Sequence, residues 1–353
     1  MITKIMDVSE DPINEQYIRE ASDILKNGGL VAFPTETVYG LGGDATLKEA
    51  SRKIYEAKGR PSDNPLIVHI ADFSQLEAIA KDLPENAKKL ADAFWPGPLT
   101  MVVNKNEVIP YETTGGLDTV AVRMPSHPIA LDLIRTSGCM IAAPSANTSG
   151  RPSPTKAAHV AEDLSGRIDC ILDGGAVDIG LESTIVDLTE GAVTILRPGY
   201  INKAMLEEVV GEVTIDPGIV YNDKGTTNGA KPKAPGMRYK HYAPKGDLTI
   251  VQGDEDKVVE TINKLSKEAL DAGQRVGIIA TDATRDRYSI GEVLVIGNRE
   301  NEKTIAHNLY DILRKFDELS VDVIYSESFA TPQIGQAIMN RLLKAAGQKT
   351  IEV

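Results

Sequence analysis

The sequence predicts two domains, a larger mixed α/β unit and a smaller one on a mostly parallel sheet. Three observations carry this. The chain has 353 residues, more than a single core comfortably serves. Short apolar runs alternate with amphipathic, helix-period segments at both ends of the chain. Between residues 211 and 246, prolines and glycines interrupt every candidate element.

Residues 1–212 form the first domain. Asp11-Pro12 predicts a helix start, with Asp as N-cap and Pro in the first helical position. Ile13, Tyr17, Ala21, Ile24 and Leu25 keep one apolar face until Gly28-Gly29 ends the helix. Leu30–Phe33 is a short strand leading into Pro34-Thr-Glu-Thr37. A second helix, roughly 47–58, turns Leu47, Ala50, Ile54 and Ala57 inward, and Gly59 stops it. Further strands are predicted at 66–70, 99–103, 119–124, 139–143, 168–172, 184–188 and 193–196, with helices near 75–82, 85–94, 127–137, 155–164 and 202–210.

Residues 213–246 read as a linker whose second half, Lys231 to Pro244, concentrates cations and aromatics and therefore docks on something. Residues 247–353 then alternate strand and helix, with no G-x-G-x-x-G that would assign a dinucleotide.

Composition excludes several classes. The formal charge of −13 opposes wholesale capture of nucleic acid or anionic membrane, leaving room only for a local basic groove. No stretch approaches the roughly 18 apolar residues of a membrane span, and no secretory signal opens the chain, so a cytoplasmic protein is expected. Cys139 and Cys170, far apart and in apolar runs, read as reduced buried thiols. No H-E-x-x-H, C-x-x-C or tight carboxylate cluster gives a dedicated metal site.

Chemistry concentrates in loops at strand ends. Lys58-Gly-Arg-Pro-Ser-Asp-Asn-Pro-Leu-Ile-Val-His69 packs two cations, a hydroxyl, a carboxylate, an amide and an imidazole between a helix end and a strand. Pro61 and Pro65 restrict that loop, which lowers the entropy of holding it in one shape. Phe33–Gly43 adds hydroxyls and glycines, and Pro144–Ser153 adds Ser145, Asn147, Thr148, Ser149 and Ser153 after an apolar strand. Arg123 and Arg197 are further forked donors suited to carboxylate or phosphate. Any one of these arginines alone reads as a surface or structural ion pair; the case for an anion and nucleotide site rests on several converging. His69 reads equally as a core histidine or a ligand group. No P-loop exists. Ser153-Pro-Thr-Lys156 and Ser62-Asp-Asn64 match two elements of the serine β-lactamase set, but in the wrong order and without K-T-G.

Taken in order, Pro34–Gly42, Lys58–Pro61, Asn64–His69, Trp95–Thr100, Val122–Pro125, Ala143–Asn147, Ser183–Ile185, Arg197–Gly199 and Pro235–Pro244 resemble the two-domain threonylcarbamoyl-AMP synthases. In these a YrdC-like mixed twisted sheet with helices precedes a smaller C-terminal Rossmann-like domain. The resemblance implies condensation of L-threonine, bicarbonate or CO2, and ATP to threonylcarbamoyl-AMP and pyrophosphate. ATP would carry Mg2+ on its phosphates, and the product would pass to a tRNA threonylcarbamoyl transferase complex. It implies that Thr35, Thr37, His69, Arg123, Ala143 and Ser183 hold threonine. Lys58, Arg60, Asn64, Thr119, Ser145, Asn147, Ser153, Arg197, Tyr239 and Tyr242 would hold ATP, with Lys58 and Arg60 as the catalytic cations. Tyr239 and Tyr242 would fold over the occupied site as a lid. Two rival readings remain at this point. One is a YrdC-like module that holds RNA or nucleotide without turnover, with Arg52, Lys53, Lys58 and Arg60 as its local basic support and weak tRNA contact as its expectation. The other is a carbamoyl-transfer module of the hydrogenase-maturation type, whose extra acylphosphatase and zinc-finger regions are not visible here.

Overall fold

The computed structural model describes residues 2–10, 12–220, 233–234, 241–329 and 332–353. The chain divides into two compact units. The first comprises Met1–Ser149, Ser153–Asp178 and Glu182–Arg238; the second comprises Gly150–Pro152, Ile179–Leu181 and Tyr239–Val353.

In the first unit the elements run β1 (Lys4–Asp7), α1 (Glu15–Lys26), β2 (Val31–Phe33), β3 (Gly40–Asp44), α2 (Lys48–Lys58), β4 (Ile67–His69), α3 (Phe73–Ile79), α4 (Glu85–Phe94), β5 (Leu99–Asn104) and β6 (Thr119–Arg123). They continue with α5 (Pro128–Ser137), β7 (Ile141–Ala142), α6 (Ala157–Leu164), β8 (Cys170–Asp173), β9 (Thr184–Asp187), β10 (Val193–Arg197), α7 (Lys203–Val210), β11 (Val213–Ile215) and α8 (Pro217–Val220). The strands form one mixed sheet in the order β1-β8-β2-β3-β7-β4-β6-β5-β9-β10-β11. One face packs Leu41, Ile54, Leu76, Leu90, Met101, Val160 and Leu206 into the main core, so α2, α3, α4, α6 and α7 all contribute to that side. A second core unites Ile18 and Leu25 of α1 with Ile129, Leu133 and Ile134 of α5 over Val31, Phe33, Ile141, Cys170 and Leu172. Both thiols are buried and free, and burial pushes Cys139 up to about 11 and Cys170 up to about 12.

Local chemistry explains most boundaries. Gly59 ends α2 in the left-handed region at φ 61°. Pro128 opens α5 and Gly138, at φ 65°, closes it. Asp72 and Gln75 form a capping box on α3.

Three expectations are corrected. Asp11 lies outside the described residues, and α1 starts at Glu15, where the Asn14 side chain accepts hydrogen bonds from the backbone of Gln16 and Tyr17. Leu47 is exposed, because it is the N-cap of α2 and not part of its inner face. The opening of the segment read as linker carries β11, which pairs in parallel with β10. The strand β3 went unread because Gly40-Leu-Gly-Gly-Asp44 has a turn composition; its glycines answer to packing. A Cβ on Gly42 would meet Ile141 at 2.6 Å and Phe33 at 2.8 Å.

The second unit runs β12 (Asp247–Gln252), α9 (Glu255–Asp271), β13 (Val276–Thr281), β14 (Glu292–Gly297), α10 (Glu302–Leu319), β15 (Val323–Glu327), α11 (Gly335–Ala345) and β16 (Thr350–Glu352). Its five strands are all parallel, in the order β14-β13-β15-β12-β16. Among the described residues no helix is long and apolar enough to cross a membrane.

Candidate functional site

Register brings residues of five separate motifs into one row, of which the sequence predicts His69, Arg123 and Arg197. His69 on β4 pairs with Arg123 on β6, Arg123 with Thr100 on β5, Thr100 with Ile185 on β9, and Ile185 with Arg197 on β10. Cross-strand partners share a face of the sheet, so these side chains project to one side. That face carries a small apolar cluster of its own, Ile67, Val102, Ala121, Ile185 and Leu196. Ala234, from the segment the sequence expected to dock, is fully buried in that cluster. Its neighbour Lys233 pairs with Asp187 at 3.1 Å and also with Glu190.

Arg123 is the centre of the row and is 4% exposed. Its Nη1 donates to Thr37 Oγ1 at 2.8 Å, and its Nη2 lies 2.7 Å from Glu36 Oε2. The loop after β2 is stiffened by Thr35, whose hydroxyl donates to Val38 O at 2.7 Å and stands 2.9 Å from Thr37 Oγ1. Burial and then the Arg123 charge push His69 down to about 3, so its ring is neutral. His69 Nδ1 lies 3.2 Å from Ile67 O and must donate to it, which leaves Nε2 as an acceptor. Ala143, 3% exposed, follows β7 and donates its N–H to Ile67 O, forming an apolar wall beside His69.

A second cluster surrounds the end of α2. Lys58 is 1% exposed, and its ammonium donates to Ser145 O at 2.5 Å and to the carbonyl oxygen of Asn147. Ser145 Oγ donates to Asn147 Oδ1 at 2.6 Å. Arg60 folds back onto its own loop, donating to Asn64 O and Pro65 O. Asn64 is itself buried, and its Oδ1 has no hydrogen-bond partner among the described residues.

A third cluster joins β9 and β10. Arg197 donates from Nε and Nη2 to Ser183 O at 3.1 and 3.0 Å, and from Nη2 to Ser183 Oγ at 3.2 Å. Ser183 Oγ is 2.7 Å from Thr100 Oγ1. Gly199 allows this approach, since a Cβ there would meet Thr184 N at 2.4 Å. Buried Ser153 donates to Glu182 Oε1 at 2.6 Å.

One predicted residue stands apart within the first unit. Thr119 occupies the opposite end of β6 from Arg123, about 13 Å along the strand at the usual rise per residue. Tyr242 is packed in the second unit against Tyr310, with ring centroids 5.2 Å apart. Tyr239 lies outside the described residues. The sequence reading passed over Glu36, Thr100, Glu182 and Ala234. The first three lie inside or beside quoted motifs, so a search for buried polar residues next to them would have found them. His159, expected on a helix surface, is buried and its Nδ1 accepts from Thr155 N. A separate groove of about 820 Å³ is lined by Glu20, Asp23, Lys53, Glu56 and Arg167, and by none of the residues predicted for threonine or ATP.

A mixed sheet with one face given to buried arginines, hydroxyls and a neutral histidine, followed by an all-parallel five-stranded unit, is the architecture of a YrdC-like domain joined to a Rossmann-like one. Two family signatures match: the one described as "Telomere recombination", of the Sua5, YciO and YrdC proteins, over residues 23–199, and the threonylcarbamoyl-AMP synthase C-terminal domain over residues 201–347. The chain is 50% identical to the threonylcarbamoyl-AMP synthase of Pyrococcus abyssi over 352 residues, covering 100% of both. It is 49% identical to that of Bacillus subtilis over 348 residues, covering 98% of each. A crystal structure of Pyrococcus abyssi Sua5 complexed with L-threonine superposes with a TM-score of 0.93 at 50% identity, covering 99% of this chain and 100% of that one. The chain belongs to the threonylcarbamoyl-AMP synthase family.

Proposed function

We propose that this protein condenses L-threonine, bicarbonate or CO2, and ATP to threonylcarbamoyl-AMP and pyrophosphate. The observation that carries this reading is the row His69–Arg123–Thr100–Ile185–Arg197, which sets a carboxylate-type anchor beside a neutral imidazole and a second buried arginine. Full-length identity to threonylcarbamoyl-AMP synthases supports it.

In this reading Arg123 grips threonine's carboxylate, while Thr35, Thr37 and Ser183 meet its polar groups. His69 accepts a hydrogen bond through Nε2 without adding a second positive charge. Ala143 supplies contact for the methyl group. Lys58, Arg60 and Arg197 face the phosphates, with Asn64, Thr119, Ser145, Asn147 and Ser153 on the nucleotide. The threonylcarbamate oxygen attacks the α-phosphorus as the bond to the pyrophosphate oxygen breaks. The protein's task is then to align the two and to stabilise charge, with no covalent enzyme intermediate. Tyr239 and Tyr242 are proposed to shield the labile product from water.

Magnesium fits this donor set as an ion carried by the nucleotide. Among the described residues no group of three His, Cys, Asp or Glu converges on a metal position. Mg2+ needs only one or two carboxylates besides phosphates and waters, and Glu182, beside Ser153, is the carboxylate we assign to it. When bound it would neutralise charge on the β- and γ-phosphates. We further propose a cytoplasmic enzyme that hands its product to a tRNA threonylcarbamoyl transferase complex, with at most weak tRNA contact of its own.

Pyrophosphate release by the purified protein with ATP, magnesium and bicarbonate tests the reading. Release should require both L-threonine and bicarbonate. Threonine-independent release, or ATP binding with no release, would overturn it.

A further inference from the structure

We propose that Glu36 removes a proton from the α-ammonium of the bound amino acid after that amino acid's carboxylate displaces it from Arg123. The inference rests on the reading of the site as one that carbamoylates L-threonine, and it adds the base that this chemistry needs.

Glu36 is 5% exposed, between two threonines of the loop that follows β2. Its Oε2 stands 2.7 Å from Arg123 Nη2 in a buried ion pair, and the backbone N–H groups of Glu36 itself and of Ser126 also face its carboxylate. A carboxylate and a guanidinium thus meet as a charge pair at one buried point, and each keeps its charge there only while it has a partner of opposite sign. An α-amino acid presents the complement, with its carboxylate for the guanidinium and its ammonium, one carbon away, for the carboxylate. Glu36 therefore holds the position against Arg123 that a substrate carboxylate would take.

The exchange changes Glu36's appetite for a proton. Burial pushes its carboxyl up, and the Arg123 charge at present outweighs that and holds it below the usual range. Once a substrate carboxylate takes up the Arg123 charge, the largest opposition to burial is removed and the proton affinity rises. The step is a simple transfer: Glu36–COO⁻ and R–NH3⁺ become Glu36–COOH and R–NH2. The N–H electron pair stays on nitrogen as the lone pair that attacks the carbon donor. Three other groups face Glu36. Arg123 on β6 is its partner. His69 on β4, held near 3, is too weak a base for an ammonium. His127, the N-cap of α5, is lowered chiefly by burial, while Glu36 raises it; Asp178 lies beyond it.

Glu36→Gln keeps the shape and removes the base. Against a wild type that releases pyrophosphate only with threonine and bicarbonate, the variant should lose about a hundredfold or more in kcat at pH 7. Its threonine Kd by calorimetry should be unchanged or tighter. Its rate should climb about tenfold per pH unit toward the amine's own pKa, because free base then supplies what Glu36 did. Glu36→Asp should recover part of the activity, and His127→Gln should retain the wild-type pH profile. Independently of turnover, infrared difference spectra of the wild type should show a protonated carboxyl appearing with threonine and missing in Glu36→Gln. Near-wild-type kcat in Glu36→Gln, a pH profile parallel to wild type, a loss confined to threonine affinity, or transfer of the effect to His127→Gln would each overturn the proposal. A wild type without threonine-dependent release would instead overturn the functional reading itself.

Discussion

Lys58 Nζ stands 2.5 Å from Ser145 O, so the last residue of α2 is tied to the loop that follows β7. The same ammonium reaches the carbonyl oxygen of Asn147, and Ser149 N returns a bond to Lys58 O at 2.9 Å. A cation proposed for the phosphates thus also pins the loop that carries Ser145 and Asn147, residues proposed for the nucleotide. Lys58→Met should abolish measurable pyrophosphate release. It should also lower the melting temperature by several degrees, since two buried carbonyls lose their donor at about 1–3 kcal/mol each. Turnover within tenfold of wild type would show that Lys58 only holds the loop.

Ser183 is shared by Thr100 and Arg197 through its hydroxyl and its carbonyl. Ser183→Ala removes the hydroxyl alone and keeps the backbone carbonyl that Arg197 grips. We expect kcat/KM for threonine to fall at least tenfold, about 1.4 kcal/mol, with stability changed by no more than about 1.5 kcal/mol. Steady-state kinetics beside a denaturant melt separates the two effects.

Acid should destabilise the protein below neutral pH. His69 is held near 3 by burial and by Arg123, while an unfolded histidine titrates near 6.5. Between those values the unfolded chain binds a proton that the native state does not, so acid favours unfolding by up to roughly 1.4 kcal/mol per pH unit. Glu36 acts in the same direction lower down: its carboxyl is held below 4.5, so the stability it contributes is present above 4.5 and lost as pH falls through its native value. Urea midpoints measured from pH 7 to pH 4 should fall in wild type. His69→Asn should flatten the upper part of that slope.

Ala234 lies at 0% exposure against Ile67, Val102, Ala121, Ile185 and Leu196, on the face that also carries Arg123. Ala234→Asp places a charge in that apolar cluster, which an unpaired carboxylate cannot occupy cheaply. The segment should leave the sheet, and product recovered per pyrophosphate released should drop as water reaches the carbamate. Unchanged product yield would mean that the docking has no part in protecting the intermediate.

The fold was legible where apolar period and punctuation agree, as in α4, whose bounds match the predicted 85–94. It was hidden where composition and role diverge. Glycine-rich β3 reads as a turn, and its need for glycine comes from Ile141 and Phe33, residues far away in sequence. β1 and β16 are short and mostly exposed, so neither shows an apolar run. Within the site, motifs revealed which residue types matter but not which ones touch. Nothing in the spacing says that Lys58 meets Asn147, or that Glu36 faces Arg123 across a sheet. Those contacts depend on strand register, which becomes visible only once the ladder is assembled.

The row from His69 to Arg197 crosses β4, β6, β5, β9 and β10, an order unlike that of the chain. Two of its links, β4 to β6 and β5 to β9, join strands that are not consecutive in the chain, pairings of the kind that form late because distant segments must first find one another. A nascent chain emerging from the ribosome has Arg123 long before Arg197, yet it cannot assemble the complete row until β10 has been synthesised and has left the exit tunnel. Substrate binding by this protein is therefore a test of finished folding, and chains released before Arg197 should remain inert.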